Sequence, residues 1–155
     1  MLEEQGITSD IIGAAIDVHR ELGGPGLLES IYKGALAWEL AQKGHRVERE
    51  VPVPVFYKGV QIHDPLKIDL LVDGKVVVEA KAAARNNPAF AVQCNTYLRL
   101  SHLRVGLVIN FGLAHVRDGI ERVVNPAART SDESAGCGAE PHQKNHIFQW
   151  PEANP

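Results

Sequence analysis

A chain of 155 residues, 45% hydrophobic and 23% charged, with a formal net charge of −3, has the balance of an ordinary globular protein. That length can bury one core but leaves no room for two full-sized domains. Residues 1–125 carry 14 Lys and Arg against 15 Asp and Glu, which excludes a strongly cationic fold but not a local basic groove beside an acidic pocket.

In chain order, Thr8 or Ser9 can cap a helix over residues 8–22, where Ile11, Ala15, Val18 and Leu22 form a stripe at three- and four-residue spacing. The sequence GGPG at 23–26 stops it and opens a second helix at about 27–43, ended by Gly44. Residues 46–57 alternate and are β-rich, but Pro52 and Pro54 cannot donate to a ladder, which assigns them to a sheet edge. Residues 66–72 and 75–81 flank Asp73-Gly74, a hairpin signal. Pro88 suits the first turn of a helix at 88–101, and the apolar run 103–111 reads as a strand buried on both faces. The order α-α-β-β-β-α-β predicts an α/β domain over residues 1–125, a mixed β-sheet flanked by helices. Beyond Pro126 the chain is poor in apolar residues and broken by Pro and Gly. Residues 126–155 are therefore expected to be a flexible C-terminal tail, with Ile147, Phe148 and Trp150 as a docking cluster.

No run approaches the roughly 18 apolar residues that span a bilayer, and MLEEQG lacks the apolar stretch of a secretory signal. Cys94 and Cys137 are too few for a disulfide framework or a four-ligand zinc site. Reduced thiols and a cytoplasmic protein without membrane contact are expected.

The chemistry-bearing residues gather around the Asp73-Gly74 turn. Glu79 and Lys81, in E-A-K, lie two apart on a strand and so project from one face. A two-residue turn would pair 68 with 79 and turn Asp69 away. A three-residue loop or a bulge instead places Asp69, Leu71, Val77, Glu79 and Lys81 on one face, and that register is the expected one. Two carboxylates with a lysine are the minimum set to hold a hard divalent cation and position water beside it, although such charges also decorate solvated sheet faces. Gln93 and Tyr97, four apart on the next helix, share a face and could orient phosphate or water; the plainer reading has Tyr97 in the core and Gln93 on the surface. Glu29 falls in the first turn of the second helix, where an acid also suits the helix dipole. His19 is expected to pack or cap rather than reach this group. Cys137, His142 and His146 lack a fourth ligand, and no zinc is expected there.

The segments GPGLLESIY, KIDLLVDGKVVVEAKA, QCNTYL and GLVINF closely resemble the GxxExxY family of small prokaryotic proteins, placed in the PD-(D/E)XK nuclease superfamily. The similarity runs from about residue 7 to 125. It implies a restriction-endonuclease-like core, in agreement with the order of elements above. It also implies that Asp69, Glu79 and Lys81 take the D…(D/E)xK positions, and that Glu29 matches an acid on the first core helix beside the metal. Gln93 and Tyr97 resemble the QxxxY motif of RecB-type exonucleases. The implied activity is Mg²⁺- or Mn²⁺-dependent hydrolysis of phosphodiester bonds, with DNA favoured over RNA. Its metal ligands would be Glu29, Asp69, Glu79 and the Ala80 carbonyl. Two features depart from the family: Phe90 and Ala91 stand where a His–Glu pair is common, and the segment after 125 has no counterpart. The alternative is a catalytically silent binding module acting through a protein or nucleic-acid partner, which the near-neutral charge of residues 1–125 favours, and a third reading is a subunit that acquires DNA affinity only as a homo-oligomer.

Overall fold

The computed structural model describes residues 2–128. The expectations for residues 129–155, including the cluster at Ile147, Phe148 and Trp150 and the group Cys137, His142 and His146, lie outside the described residues.

Helix α1 (Leu2–Glu21) starts six residues earlier than expected. Ile7 extends the buried stripe of Ile11, Ala14, Ala15 and Val18 by one turn, and Glu3 and Glu4 suit the positive end of the helix dipole. Thr8 is therefore not a cap; its hydroxyl donates to the Gln5 carbonyl inside the helix (2.9 Å). Helix α2 (Glu29–Gln42) follows the glycine-rich turn and places Glu29 in its first turn, as expected.

Strand β1 (Val47–Tyr57) runs antiparallel to β2 (Val60–Val72), which is six residues longer than the expected 66–72. Lys58 and Gly59 both have positive φ, the geometry of a two-residue type I′ hairpin, so the chain turns at once and re-enters the ladder. Two register shifts near Val55 take up the extra residues and accommodate Pro54 and Pro65. Strand β3 (Val76–Lys81) pairs antiparallel with β2, helix α3 (Pro88–Ser101) crosses over, and β4 (Val105–Asn110) returns parallel to β3. Strand β5 (Ile120–Val124), which the sequence reading did not assign, pairs antiparallel with β4. The sheet order is β1-β2-β3-β4-β5, so β1 is an edge strand, as its prolines require.

Two apolar layers sandwich this mixed sheet. On one face, Val76, Val78 and Ala80 of β3 pack with α1 and α2; on the other, Val77 packs with Cys94, Tyr97 and Leu98 of α3. The alternation of β3 therefore sends Glu79 and Lys81 to the α3 face. No helix among the described residues is long and apolar enough to cross a membrane.

Candidate active site

The turn between β2 and β3 determines which side chains meet. Val72 pairs with Val76 and Leu71 with Val77, so the loop holds three residues, as the expected register requires. Asp73 and Gly74 take positive φ there, and the Asp73 carboxylate accepts from the Arg46 amide (2.8 Å) and bonds His45 (2.6 Å). The loop is thus tied to the start of β1.

Beyond Leu70 and Val78 the two strands part, and Asp69 stands in the opening. Its Oδ2 accepts the Ala80 amide hydrogen (3.0 Å), and its own amide points at Glu79 Oε1 across a long 3.4 Å. A side chain thereby replaces a ladder bond, which fixes Asp69 beside the buried Glu79. Burial, followed by the neighbouring Asp69 charge, raises the Glu79 carboxyl to about 8. Metal-free Glu79 is therefore largely a neutral acid at pH 7.

Lys81 is held from two sides. Its ammonium donates to Gln93 Oε1 (2.8 Å) and lies 5.2 Å from the centroid of the Phe90 ring. Gln93 in turn donates from Nε2 to the Tyr97 hydroxyl (3.1 Å). Gln93 is exposed and Tyr97 buried, as the plainer reading held, yet the two link Lys81 to the core in one chain of hydrogen bonds. Phe90, a departure from the resembled family, serves here as a seat for the lysine.

Glu29 reaches the group from α2. The hydroxyl of Tyr32 donates to the Gly24 carbonyl (2.7 Å) and accepts the Leu27 amide (3.1 Å), and its ring stacks on Phe111 at 4.8 Å. The tyrosine of G-x-x-E-x-x-Y is thus a clamp on the turn that presents Glu29. Burial and then the Asp69 charge raise the Glu29 carboxyl, while Lys81 and Lys33 oppose them. Glu29 and Lys81 line one open cleft of about 460 Å³ with Leu27, Leu28, Ala82, Ala83 and Phe90. His19 stays outside it: its Nε2 meets the Leu113 carbonyl (3.1 Å). The side chain of Ala80 lies in the α1/α2 core, and its amide is the one Asp69 accepts.

Sequence reasoning missed three residues that shape this region. Lys33 Nζ bonds both Glu50 (2.5 Å) and Asp69 (3.1 Å), and its position four after Glu29 was a signal that it shares that helix face. Glu50 sits opposite Asp69, where the β1–β2 pairing skips between Arg49↔Leu70 and Val51↔Ile68. Its φ of 52° rotates the strand there, a conformation that non-glycine residues adopt at a cost. The third is Asn110, whose Oδ1 accepts the amides of Ala83 (2.9 Å) and Gly112 (3.0 Å) and so pins the loop that follows Lys81. Gly112 has no room for a side chain, since a Cβ would fall 2.2 Å from the Ala83 carbonyl oxygen.

Among the described residues, no group of three or more His, Cys, Asp or Glu converges tightly enough to hold a metal ion. The donor chemistry nonetheless fits a hard divalent cation. Every candidate side-chain ligand is a carboxylate, and burial with the Asp69 charge pushes Glu79 towards its neutral form even though Lys81 opposes them. Two lysines already stand among these carboxylates: Lys81 lowers the pKa of Glu29 and Glu79, and the Lys33 ammonium contacts Glu50 and Asp69 directly.

Comparison with known proteins adds one result. The sequence model of the PD-(D/E)XK nuclease superfamily matches residues 5–123. No curated protein and no solved structure matches the chain. The family match spans both helical layers and all but the last residue of the sheet, and includes the D…ExK hairpin and the helix that holds Lys81. The chain belongs to the PD-(D/E)XK nuclease superfamily.

Proposed function

We propose that the protein is a metal-dependent nuclease of the GxxExxY type that hydrolyses phosphodiester bonds, with DNA as its substrate. The observation that carries this reading is Asp69, set in the opening between two strands beside Glu79 and one residue-pair from a lysine held by Gln93 and Phe90. Glu29, Asp69 and Glu79, with the Ala80 carbonyl, would hold Mg²⁺ or Mn²⁺. Such an ion lowers the pKa of bound water and neutralises charge on the scissile phosphate.

The chain's own residues supply the rest. Lys81 presents a charged donor towards the cleft it shares with Glu29 and stabilises oxyanion charge as it develops. Gln93 and Tyr97 keep that ammonium from swinging into solvent. Asn110 and Gly112 hold the strand end and the following loop in register with β4.

Cleavage of labelled oligonucleotides in Mg²⁺ or Mn²⁺ tests the proposal. Glu29→Ala, Asp69→Asn and Lys81→Ala are each expected to abolish cleavage in a folded protein. Full activity in Asp69→Asn would refute the mechanism.

A second reading is a cytoplasmic binding module that keeps the fold and works through a partner. It is favoured by the exposed Leu27 and Leu28 beside Glu29, and by the near balance of charge over residues 1–125. Under that reading, cleavage is absent with every nucleic acid tried.

A further inference from the structure

The carboxylates of the candidate site lie on four consecutive elements: Glu29 on α2, Glu50 on β1, Asp69 on β2 and Glu79 on β3. Such a concentration of like charge opposes folding unless something offsets it. Lys81 offsets part of it at Glu29 and Glu79, and Lys33 offsets it by direct contact at Glu50 and Asp69. Its ammonium is 2.5 Å from Glu50 and 3.1 Å from Asp69, and its side chain is only 12% exposed. The backbone contributes on both sides of the contact. Lys33 is one helical turn beyond Glu29 on the same face of α2, and Glu50 takes its left-handed conformation opposite Asp69, so that both carboxylates meet one ammonium. Asp69 is thereby left with one oxygen on Lys33 and the other on the Ala80 amide.

We infer that Lys33 is the resident counter-ion of Asp69 and Glu50, filling electrostatically the place of the divalent cation at Asp69 and opposing its binding. The inference rests on the metal-dependent reading above. A lysine tethered in this way keeps the metal-free protein folded and sets a threshold of metal concentration below which the site stays closed. Its contribution has two opposite signs. It stabilises the metal-free chain, and it weakens the metal complex, because a unit positive charge within about 5 Å of a divalent ion costs roughly tenfold in affinity even at the dielectric constant of water. A lysine that merely braced the site would act with one sign, and its loss would weaken both.

The test is Mn²⁺ titration by calorimetry at pH 8 on the full chain, as wild type, Lys33→Gln and Lys33→Arg, with urea unfolding of each in chelator. Lys33→Gln is expected to bind Mn²⁺ about tenfold tighter or more while unfolding at lower urea in chelator. Lys33→Arg, which keeps the charge, is expected to resemble wild type in both. Equal or weaker Mn²⁺ binding by folded Lys33→Gln would overturn the inference and leave the nuclease reading standing. No Mn²⁺ binding by any of the three, with or without DNA present, would overturn the nuclease reading itself, and the inference with it.

Discussion

Glu79 is where the candidate chemistry costs the fold most. Its side chain is 2% exposed, with a single long hydrogen bond from the Asp69 amide and the Asp69 charge alongside. Its pKa moves from the ordinary 4.5 to about 8 on folding. A group whose pKa rises on folding contributes stability that is complete below its unfolded value and is lost as pH climbs through its folded value. Wild type therefore loses stability between about pH 4.5 and 8 from this residue alone. At about 1.36 kcal/mol per pKa unit, the loss is roughly 3 kcal/mol by pH 7 and levels off near 5 kcal/mol above pH 8. Glu79→Gln has the shape of the neutral acid and can accept the same Asp69 hydrogen bond, but it does not titrate. In chelator, the variant is expected to match wild type near pH 4.5 and to exceed it by roughly 3 kcal/mol at pH 7, or about 10 °C in Tm for a domain of this size. Urea unfolding of both proteins at pH 5, 7 and 9 measures it, and subtracting the two curves removes the titrating groups that do not interact with Glu79. A difference that is flat with pH, or a variant weaker than wild type at pH 7, would refute the assignment of Glu79 as a buried acid with a raised pKa.

Two other expectations follow from the same region. Tyr32→Phe removes the hydroxyl that joins Gly24 to Leu27 and leaves the Leu27 amide without its acceptor. About 1–3 kcal/mol of stability should be lost, with faster hydrogen exchange at Leu27, in a urea and exchange comparison with wild type. His45 bonds Asp73 (2.6 Å) and Asp10 (3.1 Å), and the Asp73 hydrogen bond, against the opposing effect of burial, raises its pKa above 6.5. The stability it confers is complete below pH 6.5 and lost as pH rises through the folded value, so His45→Gln should flatten the decline seen by NMR-monitored unfolding above pH 6.5.

The sequence carried most of the frame because its strongest signals are local. Period-3.6 stripes, the glycine turn at 23–26 and the prolines of β1 each state their structure within a few residues. The short β5 and the first half of β2 escaped for the opposite reason. Ile120–Val124 is too brief to show a period, and Lys58-Gly59 forms a tight turn without the usual Asn or Asp. Around the candidate site, residues linked by spacing were legible: Glu79 with Lys81, Gln93 with Tyr97, and Asp69 once the loop length was reasoned from register. Lys33 and Glu50 were not, because their meeting depends on a cross-strand position opposite Asp69 and on a left-handed residue that no pattern of polarity reveals. Asn110 lies inside the apolar run 103–111, and only the fold brings the distant Ala83 amide to its Oδ1.

Asp69 is proposed above to organise a divalent-cation site on this fold. Mn²⁺ calorimetry on wild type and Asp69→Asn in parallel tests it most directly. The asparagine can still accept the Ala80 amide hydrogen, so the strand opening survives while the charge is lost. Saturable binding near one or two ions per chain in wild type, absent or at least tenfold weaker in the variant, is the expected result. Equal binding by the two folded proteins, or none by wild type with DNA present, would contradict it.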